Sequence, residues 1–187
     1  RSQEPSPEFP AFDMNRIKKN IPEIYSILTD GKDFESFQKN NTIYLAIAVK
    51  NNDVKTIKKA IKDGADLDKK DKDGTTLLIG ASLSGSPEMV KTLIDGGANI
   101  DIQNNNKDTA LMSAAFFCNK EVVKLLLDAG ADKSLRNASG ATVTEFMSEP
   151  WSSKIEGIYK FIGGLLQMEI NLEKIKKERP LIAEMLQ

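Results

Sequence analysis

Gly64-Ala65-Asp66 returns as Gly97-Ala98-Asn99 and again as Gly130-Ala131-Asp132, each copy 33 residues after the last. The same spacing joins Leu45, Leu78 and Leu111, then Ala48, Ala81 and Ala114, then Ile57, Val90 and Val123, and then Ile61, Ile94 and Leu127. Thr76, Thr109 and Thr142 form a further column. A fixed period of this length means one supersecondary unit copied along the chain, each copy relying on its neighbours to cover its apolar face.

Within one unit, Thr109 to Phe117 and Lys120 to Leu127 read as two short helices with a tight turn between them. Ala114 and Ala115 let the first helix approach its neighbours closely, while Val122, Val123, Leu125, Leu126 and Leu127 give the second a broad apolar face. Helices this short do not hold alone in water, so stacking must supply their stability. Thr109 stands where an N-cap oxygen satisfies the first free amides, and Gly130 where a helix end needs positive φ.

These columns resemble the ankyrin repeat, a β-turn followed by an antiparallel helix pair, over about residues 41–148. The segments Asp73-Gly74-Thr75-Thr76-Leu77-Leu78 and Val122-Val123-Lys124-Leu125-Leu126-Leu127-Asp128-Ala129-Gly130-Ala131-Asp132 carry the resemblance. The family's Thr-Pro-Leu-His tetrapeptide stands here as Thr76-Leu77-Leu78-Ile79 and Thr109-Ala110-Leu111-Met112, without its Pro and its His. The loop-to-loop hydrogen bonds that this tetrapeptide usually supports are therefore not expected from it.

The resemblance implies an all-α solenoid acting as a non-catalytic protein–protein interaction module, with a concave groove formed by turn tips and first helices. The family's variable positions fall on Lys72, Asp73, Thr75, Leu83 and Ser84 in one repeat and Asn105, Asn106, Asp108, Phe116 and Phe117 in the next, with Lys50 and Asn51 extending the surface. Phe116 and Phe117 read either as exposed partner anchors or as rings packed beneath the C-terminal tail or the next repeat.

Worn copies of the period extend both ways. Stepping back 33 residues from Ile57, Ala60, Ile61 and Gly64 lands on Ile24, Ile27, Leu28 and Gly31, so residues 11–40 are expected to form a degenerate N-terminal capping repeat. Residues 1–10, with three Pro, are expected to be disordered. Stepping forward from Val122, Leu126 and Gly130 lands on Ile155, Tyr159 and Gly163, which predicts Lys154 to Ile162 as the second helix of a final unit. Its first helix, Thr142 to Met147, is cut short by Pro150. Residues 149–187 are expected to form a helical C-terminal cap and extension, with Trp151 either covering the groove's end or binding a partner, and Pro180 opening a last short helix that ends at Leu186.

Composition narrows the chemistry. With no His and one Cys, triads that use His, His-ligated metals and Cys-cluster sites are excluded. Among carboxylates and lysines, Glu145, Glu149 and Lys154 are the candidates for an enzyme site between the last repeat and the extension. An inhibitor or immunity-type protein for one cognate enzyme is a second alternative, and a structural spacer a third. A net charge of −1 with four Arg argues against nucleic acid, and no apolar run is long enough for membrane insertion. The acids in Lys69-Lys70-Asp71-Lys72-Asp73 lack EF-hand spacing and read as a solvated turn, as Asn104-Asn105-Asn106 reads as turn chemistry.

Cys118 is expected to be an unreactive, partly buried thiol, and Lys174-Ile175-Lys176-Lys177-Glu178-Arg179 a solvated face. No cofactor or metal is expected, and the partner is expected to be a protein bound by a monomer. A start at Arg1 rather than Met points to a removed upstream segment. The expectation is a soluble bacterial chain, exported or periplasmic after loss of a signal peptide, or otherwise cytoplasmic.

Overall fold

Thr76, Thr109 and Thr142 stand in extended backbone, and their hydroxyls accept from the amides of Ile79, Met112 and Glu145 at 3.3, 3.2 and 3.1 Å. Each caps the first helix of a repeat, as the sequence column predicts. The computed structural model describes residues 42–166 and 169–187. The expected N-terminal disorder and capping repeat lie outside those residues.

The described repeats pair an inner helix with an outer one: α1 (Thr42–Lys50) with α2 (Val54–Lys62), α3 (Leu77–Ser84) with α4 (Pro87–Asp95), and α5 (Ala110–Phe116) with α6 (Lys120–Asp128). Three further helices follow, α7 (Val143–Ser148), α8 (Ser153–Leu166) and α9 (Leu172–Met185). Inner helices pack in the order α1, α3, α5, α7, and outer helices in the order α2, α4, α6. The period columns are the interior: Leu78 and Leu111 are 1% exposed, and Ala81, Ala114, Ile57, Val90 and Val123 are fully covered. Burying each Leu stabilises the stack by about 2 kcal/mol, and the Ala columns set how closely inner helices approach.

Turns recur with the same period. Gly64, Gly97 and Gly130 have φ of 77°, 89° and 88°, the left-handed backbone that ends each outer helix. At the turn tips the corresponding column reads Gly74, Lys107, Gly140, with φ of 75°, 59° and 79°. Lys107 therefore holds a conformation that costs an L side chain about 1 kcal/mol. We expect Lys107→Gly to raise stability by about 0.5 kcal/mol, since the glycine's greater freedom in the unfolded chain offsets part of the relief. The shift in urea midpoint measures it.

The end of the stack departs from the extrapolated period. The helix that packs on both α6 and α7, and so takes the outer position of the last repeat, is α9 rather than Lys154 to Ile162. The physical reason is the stripe Ile175, Arg179, Ile182, Ala183 and Leu186, which buries one whole face of α9. Pro180 does not open a helix but lies inside α9. It is exposed, so the carbonyl it leaves unpaired at Lys176 faces water, and the buried stripe holds the helix together across it. Nor is the basic run wholly a solvated face, because Arg179 is 2% exposed.

Candidate partner-binding flank

Short polar side chains build the turn tips. Asp71, Asn104 and Asn137 each accept twice from their own turn: from Asp73 and Thr75, from Asn106 and Asp108, and from Ser139 and Ala141, at 2.8 to 3.2 Å. Such Asx turns close the tip without help from any other repeat.

A second set of bonds then ties tip to tip. The Asn105 amide donates to the Asp73 carbonyl at 3.0 Å and its side chain to the Lys72 carbonyl at 3.1 Å, while the Ala138 amide donates to the Asn106 carbonyl at 2.8 Å. Lower down, Asp68 accepts from the Asn99 amide at 2.8 Å and Asp101 from the Asp132 amide at 2.9 Å. Gln103 bridges the Lys107 and Arg136 carbonyls at 2.6 and 2.9 Å. Loop-to-loop hydrogen bonds thus form without the missing His. A Cβ on Gly74 would stand 2.7 Å from the Asn105 backbone nitrogen, so this close approach requires glycine.

Lys72, Asp73, Asn105 and Asn106 are exposed at these tips, and Thr75 is half-buried. Asp108 is largely covered, and burial raises its carboxyl above the usual range while a bond from Asn137 opposes the rise. Asp108 therefore faces the next turn more than solvent. On the inner helices Leu83 is half-buried and Ser84 exposed, next to the exposed Lys50, Asn51 and Ile47. The tips and the inner helices from α1 to α3 thus leave an accessible flank.

That flank closes at its C-terminal end. Phe116 stacks on Phe146 at 5.7 Å between centroids and meets Tyr159 of α8 at 4.4 Å, and Trp151 stacks on Tyr159 at 5.9 Å. Phe116 is consequently packed against the core rather than open as an anchor. Phe117 is half-buried with its ring edge-on to Phe116 at 5.0 Å. Trp151 is half-buried and packs against the core at this end. The signal that Phe116 would be covered was the aromatic run Phe146, Trp151 and Tyr159 within one turn or two of the last repeat.

Glu145 and Glu149, the acids considered for catalysis, both pair with cations. Glu145 completes a capping box with Thr142 and pairs with both terminal nitrogens of Arg136, which hold its carboxyl below the usual range. Glu149 pairs with Lys154 at 3.0 Å on the surface. Among the described residues no cluster of acids and Cys is arranged to hold a metal ion, and no helix is long and apolar enough to cross a membrane.

Cys118 follows Phe117 in left-handed backbone, in the column that holds Gly85 one repeat earlier, and is 2% exposed. Burial, aided by Glu178, pushes its thiol up to about 12, and burial pushes the Tyr159 phenol up to about 12 as well. In both groups the folded chain keeps a proton that the unfolded chain releases near pH 9 and 10. Folded protein binds more protons, so stability is fully present below pH 9 and falls as pH rises toward 12. Urea midpoints that are level just below pH 9 and decline as pH rises above it are the expected result.

Comparison with known proteins agrees with this architecture. The model for ankyrin repeats, in three copies, matches residues 45–137. Among solved structures, the ankyrin repeat domain of Bcl-3, described as a unique member of the IkappaB protein family, is similar with a TM-score of 0.54 and 31% identity. The match covers 63% of this chain and 50% of that one, so it spans half of its length. A search of curated proteins finds no match. Ankyrin repeats are generally protein–protein interaction modules. Residues 45–137 of this chain are ankyrin repeats, stacked as an all-α solenoid of helix pairs.

Proposed function

We propose that the chain is a non-catalytic binding module that holds a partner protein on the flank formed by Lys72, Asp73, Thr75, Leu83, Asn105 and Asn106. The observation that carries this reading is the row of turn tips tied to one another across repeats, from Asp73 to Asn105 and from Asn106 to Ala138, with charged and amide groups left pointing outward. Such a surface is formed before the partner arrives, so little ordering entropy opposes association. Leu83 supplies apolar contact, and the tips supply specificity through Lys72, Asp73 and Asn106. Phe116 is no part of this surface, and Phe117 contributes at most an edge.

The test is capture from the native extract by the full chain, comparing the unaltered protein with Lys72→Glu/Leu83→Lys. A captured protein that is lost at least tenfold with this variant, at an unchanged melt, supports the reading. Equal capture by both proteins sinks it. An outer-helix variant, Lys124→Ala, is expected to capture as the native chain does.

A further inference from the structure

The three outer helices carry the same fold position but not the same charges. In register, Lys55 of α2 corresponds to Glu88 of α4 and Glu121 of α6, and Lys62 corresponds to Asp95 and Asp128. Lys58, Lys91 and Lys124 share a column, and Lys59 adds a fourth cation to α2 alone. In α4 and α6 the shared lysine reaches the acid four residues on, Lys91 to Asp95 at 3.1 Å and Lys124 to Asp128 at 2.6 Å. In α2 that acid is a lysine. No ion pair forms at Lys55, Lys58 or Lys62 among the described residues, while Lys59 pairs with Asp63 at 2.7 Å.

The spacing i, i+3, i+4, i+7 puts Lys55, Lys58, Lys59 and Lys62 on one stripe about 10 Å long, and all four are exposed. Like charges at these intervals destabilise a helix, and Lys55 also stands in the first turn, where the helix dipole disfavours a cation. Glu88 and Glu121 occupy that first turn in the other two repeats. The acids at the two ends of α2 offset it only in part, Asp63 by pairing with Lys59 and Asp53 through its charge on Lys55. Its acid at the N-cap, Asp53, is already held by the Thr56 amide and hydroxyl at 3.0 and 2.6 Å.

We propose that the outer face of α2 is a second docking surface, separate from the turn-tip flank, and that it takes an acidic segment of a partner protein. Four lysines on one stripe complement a run of carboxylates, whose arrival removes the self-repulsion that the free helix bears. A bilayer is the weaker fit, because Ile57 and Ala60 of α2 are buried and its half-buried Val54 and Ile61 pack against the core, which leaves no fully exposed apolar side chain to enter lipid. Nucleic acid is weaker still, since the stripe has no Arg and no aromatic to stack on a base.

The test uses the full chain and polyglutamate as the probe, with phosphatidylserine vesicles and duplex DNA as competing probes. The variant is Lys55→Glu/Lys62→Asp, which gives α2 the residues of its sister helices and should melt no lower than the native chain. A control, Lys176→Glu/Lys177→Glu, makes the same change in net charge on the exposed side of α9. Polyglutamate binding that weakens with salt and falls at least tenfold in the α2 variant, but less than twofold in the control, supports the proposal. Equal losses in both variants, absence of polyglutamate binding at low salt, or tighter binding to vesicles or DNA would overturn it.

Discussion

Replacing Phe116 by Ala is expected to cost about 3 kcal/mol and to loosen the C-terminal segment ahead of the repeats, whereas Phe117→Ala costs about 1 kcal/mol. The difference follows from what each ring touches. Phe116 joins three elements, since it ends α5, stacks on Phe146 of α7 and meets Tyr159 of α8. Phe117 has its ring contact with Phe116 and solvent on its other side. Trp151, the chain's single Trp, reports the event directly because it stacks on Tyr159. In the Phe116 variant its fluorescence transition should move to lower urea than the far-ultraviolet transition of the helices, because a repeat stack need not unfold as one unit. Coincident transitions within error of the native protein would show that the aromatic cluster adds nothing to the cap.

That outcome bears on what a sequence of this kind declares. The repeats were legible because their constraints are local and periodic. Thr76, Thr109 and Thr142 cap, Gly64, Gly97 and Gly130 turn, and the Leu and Ala columns bury, each for a reason visible within one unit. The absent His predicts no loop-to-loop bonding, and each turn closes on itself through the Asx residues that repeat at Asp71, Asn104 and Asn137. These were visible as a column, although the bonds between repeats depend on backbone groups that no residue identity reveals.

The C-terminal segment was misread for a physical reason too. Ile155 and Tyr159 fit the period and are fully buried, but two apolar residues four apart suit any amphipathic helix. Tyr159 docks α8 onto Phe116 and accepts from Arg179 of α9. The helix that does join the outer layer is marked by a buried stripe interrupted by Arg179 and Pro180, two residues that ordinarily argue against a helix face turned inward. Similarly, the anchor reading of Phe116 rested on its column, and only the later aromatics show that the column is capped.

Arg179 is the larger anomaly. Its guanidinium is buried with no carboxylate paired to it among the described residues. Instead it donates to the Phe146 carbonyl at the end of α7, to the Tyr159 hydroxyl at 3.1 Å and to the Met147 sulfur at 3.7 Å, and it lies over the Phe146 ring at 4.4 Å. Nε has no acceptor. One side chain on α9 thus holds the end of α7 and the phenol of α8 together. Arg179→Ala removes the stem that fills this space, leaves the Tyr159 hydroxyl without its donor and leaves the Phe146 carbonyl with the Glu149 amide alone, a loss of about 4 kcal/mol. Arg179→Met keeps most of the stem and sheds the cost of burying a charge, so it should lose only about 1 to 2 kcal/mol despite the same lost hydrogen bonds. The ordering is the informative result, read again from Trp151 in urea. If Met were as damaging as Ala, the charge itself would be what holds the cap, through the Phe146 ring and carbonyl. If Ala were harmless, α9 would be held by Ile175, Ile182 and Leu186 alone, and the buried guanidinium would have no part in closing the stack.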